Sequence, residues 1–169
     1  MASSRSLPDE QTIQRMASRY PEIDIPSVKA CLVFLDTSSA FNNFVDSYLI
    51  PHKLSKGKFT LLTQLVETSD SGLLPSEFAE RAGVTRASVT SLLDGLERDK
   101  LITRQPHPVD RRMLSVRITD EGRELMNKIL PQHFTWIKAW MDNLSDREKQ
   151  TLIELLTKLR SEIPTSQKL

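Results

Sequence analysis

Apolar residues recur along the chain with two different periods, and these periods predict its secondary structure. Spacings of three and four residues, typical of one buried face of a helix, occupy most of the chain. Strand-like runs occur at residues 101–105 and 113–119, a loop at 69–73 leaves room for one short strand at 72–74, and in the run at 113–119 single apolar and polar residues alternate. The pattern therefore predicts a mainly α protein with a small β-hairpin. In the second strand it predicts buried Leu114, Val116 and Ile118, with Ser115, Arg117 and Thr119 facing solvent.

The N-terminal part of the chain is predicted to form three helices. Residues 8–20 form a short helix that ends before Pro21, and because so short a helix is marginal alone, we expect it to pack against a partner subunit. Ser27 can cap a second helix over residues 28–50, whose apolar stripe is broad enough for more than one neighbour. After a turn, residues 59–68 predict a buried helix.

The segment at residues 74–122 is the one around which the chain is organised. Two short helical patterns are joined at Gly83, where a glycine suits the left-handed end of a helix, and Thr85 can cap the second helix. The two strands follow, with an arginine pair in the polar loop between them. This order of elements is that of a winged helix-turn-helix, a DNA-reading unit.

The second helix of this unit has one apolar and one small polar face. Val89, Leu92, Leu93 and Leu96 have the spacing that directs them to the core. A helix that enters a groove about 12 Å wide needs small side chains on its outer face. That face carries Arg86, Ala87, Thr90, Ser91 and Asp94, with Ser88 at its edge.

Two helices are predicted after the hairpin. Thr119 can cap a long helix, which Pro131 is expected to bend, and Ser145 with Glu148 forms a capping box for the last helix. The last helix carries an apolar stripe of Leu152, Leu155, Leu156 and Leu159.

Composition and charge exclude some classes of protein but do not identify the function. The net charge of the 169 residues is only +1, so any DNA affinity must come from locally placed basic groups. The one cysteine, Cys31, lies in an apolar run and is expected to be a buried, inert thiol. The N-terminus lacks the apolar core of a signal peptide, and the longest apolar run is too short to cross a membrane, so we expect a cytoplasmic protein.

Other residues that often carry chemistry favour ordinary structural roles here. His52, His107 and His133 are isolated in sequence, so we expect no metal site, and Trp136 and Trp140 favour packing in the core or a subunit interface. No nucleophile–base pair, carboxylate pair or glycine-rich phosphate loop is found, so we expect neither catalysis nor a cofactor.

The loop and second strand, DRRMLSVRITDEG, resemble the signature of the MarR family of bacterial transcription regulators. The matching residues are Asp110, Arg111 and Arg112, the run at residues 116–119 and Gly122, with isoleucine at 118 where leucine is usual. The upstream stretches LSKGKFTLLTQL and LPSEFAERAGVTRASVTSLLDGLERDKLI are similar to the same family. In order of elements the resemblance covers residues 28–159.

The resemblance implies a homodimer that binds double-stranded DNA at a pseudo-palindromic operator, with recognition helices roughly 34 Å apart. It divides the chain into an N-terminal extension with a short helix at 1–26, a helical dimerisation region at 27–55 and 120–163, a winged helix-turn-helix lobe at 56–119, and a tail at 164–169.

The resemblance also assigns DNA contacts. Arg112 would enter the minor groove, Arg111 would bind phosphate, and Asp110 would either hold the Arg112 guanidinium or serve only as a turn residue. The arginine pair could instead be a solvated hairpin tip, a reading that we find weaker. Many members of the family have Arg or Lys at the position of Ser91. Recognition of the DNA sequence would therefore depend more on Arg86 and on DNA shape. The remaining contacts would be Ser76 at a backbone-contacting helix start and Thr85, Arg86, Ser88, Thr90 and Ser91 in the major groove.

We therefore expect a sequence-specific transcriptional repressor that a small ligand, aromatic or phenolic in much of the family, releases from DNA. A winged-helix module that binds protein without specific DNA binding is the alternative. One branch of the family senses peroxide through a cysteine, but Cys31 has no cation near it in sequence, so we favour the inert thiol.

Overall fold

The computed structural model describes residues 8–68, 72–106 and 113–161. Over these residues the chain forms seven α-helices, a 3-10 turn at Ile50–His52 and one two-stranded antiparallel sheet. The predicted fold class, mainly α with a small β-hairpin, is confirmed. The helices are α1 (Glu10–Arg19), α2 (Ile25–Leu49), α3 (Lys56–Val66), α4 (Pro75–Ala82), α5 (Arg86–Arg98), α6 (Asp120–Met141) and α7 (Asp146–Ser161), and the strands are β1 (Ile102–Pro106) and β2 (Leu114–Ile118).

Side-chain caps set the start of the first two helices. Asp9 accepts a hydrogen bond from the Thr12 N–H at 2.7 Å, and Asp24 accepts one from the Ser27 N–H at 2.9 Å. The prediction that Ser27 caps α2 is therefore wrong, because Asp24 performs this role three residues earlier. Pro26 is tolerated in the first turn, where the backbone N–H has no partner within the helix anyway.

Helix α3 also begins earlier than its apolar pattern predicted. Ser55 is its N-cap and accepts a hydrogen bond from the Lys58 N–H at 3.3 Å. The pattern missed this first turn because its lysines are polar and turn outward to carboxylates. Lys56 pairs with Asp46 at 3.1 Å, and Lys58 pairs with Asp99 at 2.5 Å.

The hydrophobic core lies where α3, α4, α5 and the hairpin meet, a unit that we call the winged lobe. Phe78, Val89, Leu93 and Leu96 are fully buried in it. The C-terminal end of α2 and the N-terminal half of α6 complete the same core, and the Tyr48 hydroxyl donates a 2.8 Å hydrogen bond to the Ile129 carbonyl between them. Their buried residues are Val45, Leu49, Met126 and Ile129.

The hairpin departs from the predicted alternation at its outer end. Its register pairs Ile102 with Ile118 at the core and Pro106 with Leu114 at the far end. Leu114 is half exposed because it lies beyond the core, so the prediction that it is buried is wrong. Ser115, predicted to face solvent, is instead fully buried, and its hydroxyl donates to the Gln105 carbonyl of the paired strand at 3.4 Å. A small side chain with a satisfied hydroxyl is buried at little cost.

The remaining helical segments, which we call the flanking helices, are α1, the N-terminal half of α2, the C-terminal half of α6, and α7. Helix α1 packs on α2 of its own chain, where Ile13 is buried and Glu10 pairs with Lys29 at 2.5 Å. Its packing on a partner subunit stays a prediction. In α2, Val33, Phe34 and Leu35 are exposed.

Cys31 lies on this same stretch of α2 and is exposed, so the prediction of a buried thiol is wrong. The apolar run that suggested burial is real, but no other described element covers it. Within the described part of the chain, no helix is long and apolar enough to span a membrane.

Helix α7 begins at the predicted capping box but buries none of its residues. The Ser145 N–H donates to the Glu148 carboxylate at 2.8 Å, and the Glu148 N–H donates to the Ser145 hydroxyl at 3.4 Å. Along the helix, Leu155 is 55% exposed and Leu159 61%. An amphipathic helix with an uncovered apolar stripe needs a further surface to pack against.

Candidate nucleic-acid interface

The turn between α4 and α5 is built by local backbone chemistry. Gly83 adopts the left-handed conformation, with φ at +63°, and its N–H donates to carbonyls in the last turn of α4. Thr85 is extended and caps α5 by accepting a 3.2 Å hydrogen bond from the Ser88 N–H. The predicted glycine C-cap and threonine N-cap are confirmed. Together they fix the angle at which α5 leaves the turn.

Helix α5 presents its small polar face outward, as its pattern predicted. Val89, Leu93 and Leu96 are fully buried and Leu92 is half-buried, which orients the helix. The opposite side carries only short side chains and one long cation, so it offers a surface that fits a groove. Its exposed candidates are Arg86, Ser88, Thr90 and Ser91, next to the exposed cap Thr85.

Several of the predicted contact residues already take part in hydrogen bonds within the helix. The Thr85 and Ser88 hydroxyls lie 2.9 Å apart, and the Thr90 hydroxyl donates to the Arg86 carbonyl at 3.0 Å. Among the described residues, the Arg86 and Ser91 side chains have no hydrogen-bond partner. A hydroxyl that donates can still accept, but Arg86 supplies the strongest donors that remain on this face.

Ser76 lies exposed in the first turn of α4, as a backbone-contacting residue requires. Phosphate is favoured at such a position by the helix dipole and the unpaired amides of the first turn. The neighbouring Glu77 uses its carboxylate to accept the Leu74 N–H at 2.6 Å, so part of this helix end is already satisfied.

Close packing against α3 supports α5 from beneath. A Cβ atom at Gly57 would meet Leu92 at 2.9 Å, and one at Gly95 would meet the Lys58 side chain at 2.9 Å. Lys58 crosses α5 at this point and donates to Asp99, and this hydrogen bond lowers the pKa of the Asp99 carboxyl. Because neither glycine has a side chain, α3 and α5 can pack closely, and this packing holds α5 in position.

Arg104 is a site residue that sequence reasoning assigned to no contact. From β1 its guanidinium donates to Asp94 at 2.6 Å and to Glu97 at 3.0 Å. Its backbone N–H also donates to Glu97, at 3.2 Å. The signal in the sequence was a pair of carboxylates three residues apart on α5, with an arginine shortly after the helix.

The predicted wing contacts Asp110, Arg111 and Arg112 lie outside the described residues. The described strands lead to them, because β1 ends at Pro106 and β2 begins at Leu114, at the hairpin end away from the core. Their roles stay predictions.

A cavity of about 240 Å³ lies beside the base of the hairpin. Its walls come from the end of α3, the base of β2 and the start of α6, and its charged lining residues are Arg117, Arg123 and Asp120. The Nε of Arg117 is buried without a partner, and neither guanidinium forms an ion pair with a described carboxylate. The site therefore offers unsatisfied donors to a small anion.

An aromatic cluster joins α2 to the C-terminal half of α6. The rings of Phe44 and Trp136 stack at 3.9 Å between centroids, and Trp136 stacks on Trp140 at 6.0 Å. His133 packs edge-on to Phe59, and its partial burial lowers its pKa. The two tryptophans pack against α2 within the chain, and Trp140 keeps an exposed edge.

Comparison with known proteins is consistent with this geometry. The family model described as "MarR family" matches residues 54–113. The HTH-type transcriptional repressor YetL of Bacillus subtilis (strain 168) is 38% identical over 152 residues, which cover 90% of this chain and 91% of YetL.

Two solved structures share the fold. Sco3205, a MarR family transcriptional regulator from Streptomyces coelicolor in complex with DNA, matches with a TM-score of 0.76 at 21% identity, over 87% of this chain and 97% of that one. CouR from Rhodococcus jostii RHA1, bound to p-coumaroyl-CoA, matches with a TM-score of 0.67 at 20% identity, over 80% of this chain and 93% of that one.

Proposed function

The chain belongs to the MarR family, and from this premise we propose that it is a homodimeric, sequence-specific DNA-binding repressor of transcription. The observation that carries the proposal is the outer face of α5, which exposes one arginine among small hydroxyl side chains on a rigidly seated helix. A repressor name on a relative that spans nearly the whole chain supports the sign of regulation. Because a bacterial chromosome lies in the cytoplasm, a repressor of this kind would work there.

The second subunit would cover the flanking helices. The exposed apolar side chains of α2, α6 and α7 form a large uncovered surface for a monomer. Two-fold pairing would present two copies of α5 to successive turns of the major groove, roughly 34 Å apart, at a pseudo-palindromic operator.

Each lobe would make three kinds of contact with DNA. Arg86, with the Thr85, Ser88, Thr90 and Ser91 hydroxyls, would read base edges in the major groove. Ser76 and Arg111 would bind phosphates. Arg112, steadied by Asp110, would enter the minor groove and read its width.

A small anionic ligand would release the protein from DNA. Its site is the cavity that Arg117 and Arg123 line, since both guanidiniums lack carboxylate partners among the described residues. The cavity lies where the winged lobe meets the start of α6, and α6 continues into the flanking helices, so an occupant there can favour one position of the lobe relative to those helices. Release requires that the ligand bind the DNA-incompetent form more tightly.

Operator binding tests the proposal. DNA selected by the wild-type protein from a random pool should bind as one dimer per site in a fluorescence anisotropy titration. Arg86→Ala and Arg112→Ala should each weaken binding at least about tenfold, since a good arginine contact is worth roughly 1–3 kcal/mol. Lys128→Ala, an exposed cation on α6, is the matched control and should leave binding unchanged. Failure to select any DNA would overturn the proposal.

A thermal shift assay tests the ligand separately. Benzoate and salicylate should raise the melting temperature of the wild-type protein and not that of an Arg117→Gln, Arg123→Gln double variant. Equal shifts in both proteins would place the ligand elsewhere and leave the DNA-binding proposal intact.

A further inference from the structure

Arg104 connects the two parts of the winged lobe that would enter DNA. It belongs to β1, the first strand of the wing, and both of its carboxylate partners belong to α5. Three hydrogen bonds form this connection, two from the guanidinium and one from the backbone N–H of the same residue. The contact is therefore made by a side chain and its own strand together.

The spacing of the two carboxylates restrains the orientation of the Arg104 guanidinium as well as its distance from α5. Asp94 and Glu97 are three residues apart on α5, about 4.5 Å along the helix axis. A planar guanidinium that donates to both is restrained in two places, which resists rotation of β1 about the short connection from α5. That connection contains Lys100 in the left-handed conformation, with φ at +60°.

The ion pairs of Arg104 contribute little to the stability of the fold. The Asp94 side chain is 57% exposed and that of Glu97 38%, so water screens both pairs. The packing of α5 on the core and on α3 holds the helix independently of Arg104. Its geometry thus suits an orienting role better than a stabilising one.

We propose that Arg104 is a positioning residue that sets the angle between the wing and the recognition helix α5, and so determines which flanking base steps the wing reaches while α5 lies in the major groove. This inference rests on the proposed DNA-binding function. Arg104 needs no contact with DNA for this role. Without it, α5 would still read its bases, whereas the wing would sample several directions and lose its preference among flanking sequences.

The proposal is tested by flank discrimination, the ratio of the dissociation constants for the selected operator and for an operator altered only outside the bases that α5 reaches. In Arg104→Ala this ratio should fall towards one, and affinity for the selected operator should fall about tenfold, as the loss of one ordered groove contact predicts. Arg104→Lys, which can reach one carboxylate at a time, should be intermediate. Arg98→Ala, an exposed cation at the end of the same helix, should keep the wild-type ratio.

A second variant separates orientation from charge. Arg104→Ala also leaves two carboxylates unneutralised near the DNA, and their repulsion of phosphate would by itself keep the wing from the flanking bases and lower the ratio. In the triple variant Arg104→Ala, Asp94→Asn, Glu97→Gln that repulsion is absent, so a ratio that stays near one supports positioning. A ratio restored to the wild-type value would overturn it and assign Arg104 a neutralising role.

Thermal denaturation and DNA selection complete the test. The melting temperature of Arg104→Ala should stay close to that of the wild type, since a lobe that melts would lose discrimination for a trivial reason. Unchanged discrimination in a folded Arg104→Ala protein overturns the inference alone. Failure of the wild-type protein to bind any DNA overturns the proposed function instead.

Discussion

The winged lobe and the flanking helices both carry apolar helix faces, but the two regions differ in how far the single chain covers those faces. In the lobe, Phe78, Leu93 and Leu96 are fully buried by neighbours from the same subunit. In the flanking helices, Phe34, Leu155 and Leu159 remain about half exposed or more. The lobe is thus structurally complete within one chain, whereas the flanking helices are complete only when another surface covers them. Helix α6 belongs to both regions, since its N-terminal half is buried in the lobe core.

This comparison implies that substitutions in the two regions act on different equilibria. A change in the lobe core should alter unfolding of the chain itself. A change on the apolar stripe of α7 should alter association of two chains, with little effect on the lobe.

The largest effect is expected from the lobe core. Phe78→Ala should lower the free energy of unfolding by about 3–5 kcal/mol, because it removes a fully buried ring and leaves a cavity. Chemical denaturation at a fixed protein concentration measures this. Phe78→Leu, which keeps most of the volume, should cost much less, and equal costs for the two variants would contradict a tightly packed core at this position.

The next effect concerns association. Leu155→Lys with Leu159→Lys should raise the dimer dissociation constant at least about 100-fold, since each buried leucine is worth roughly 1.5–3 kcal/mol. Light scattering against concentration follows the change, and circular dichroism should still report a folded lobe. Lys158→Ala, on the same helix, is the control. A double variant that remains dimeric would show that α7 faces solvent in the assembly.

A smaller effect is expected where the two regions join. The Thr119 hydroxyl accepts the Gly122 N–H at 3.1 Å to start α6 and donates to the Lys100 carbonyl at 2.7 Å. Thr119→Val removes both hydrogen bonds and should destabilise the protein by about 1–2 kcal/mol in urea unfolding, whereas Thr119→Ser should restore most of that loss. A valine variant as stable as the wild type would contradict this capping role.

The smallest effect is a pH dependence from the aromatic cluster. Burial lowers the pKa of His133 below its usual 6.5, so the unfolded chain binds the proton more readily than the folded one. Stability should therefore decrease as the pH falls through about 6.5 and level off below the folded-state pKa. The Tyr48 ring lies 6.1 Å from His133 between centroids, and Tyr48 stays protonated in this range. His133→Gln should flatten this part of the curve of melting temperature against pH, and an unchanged curve would contradict the assignment.

The helix-turn-helix could be predicted from the sequence because its determinants are local. Gly83 acts through its own backbone angle, and Thr85 acts through a hydrogen bond to the backbone three residues later. The buried face of α5 follows from the spacing of Val89, Leu93 and Leu96. Even the capping box of α7 follows from Ser145 and Glu148 alone.

The features that could not be predicted from the sequence depend on which side chains are covered or contacted by distant segments. Cys31 was expected to be buried because its neighbours are apolar, but burial depends on a surface that the single chain does not supply. Ser115 was expected to face solvent because it is polar, yet its small side chain is buried with its hydroxyl hydrogen-bonded. Arg104 was assigned no contact from the sequence, because its engagement by two carboxylates of another element depends on how β1 lies against α5.

The salt dependence of operator binding tests the central claim most directly. If the lobes bind DNA through phosphates, the association constant of the wild-type protein should fall linearly on a log–log plot against salt. A dimer that contacts six or more phosphates should lose roughly 10³-fold or more between 50 and 200 mM salt. A slope near zero, with binding equally tight for unrelated sequences or absent throughout, would contradict a DNA-binding regulator and favour a winged-helix module that binds protein.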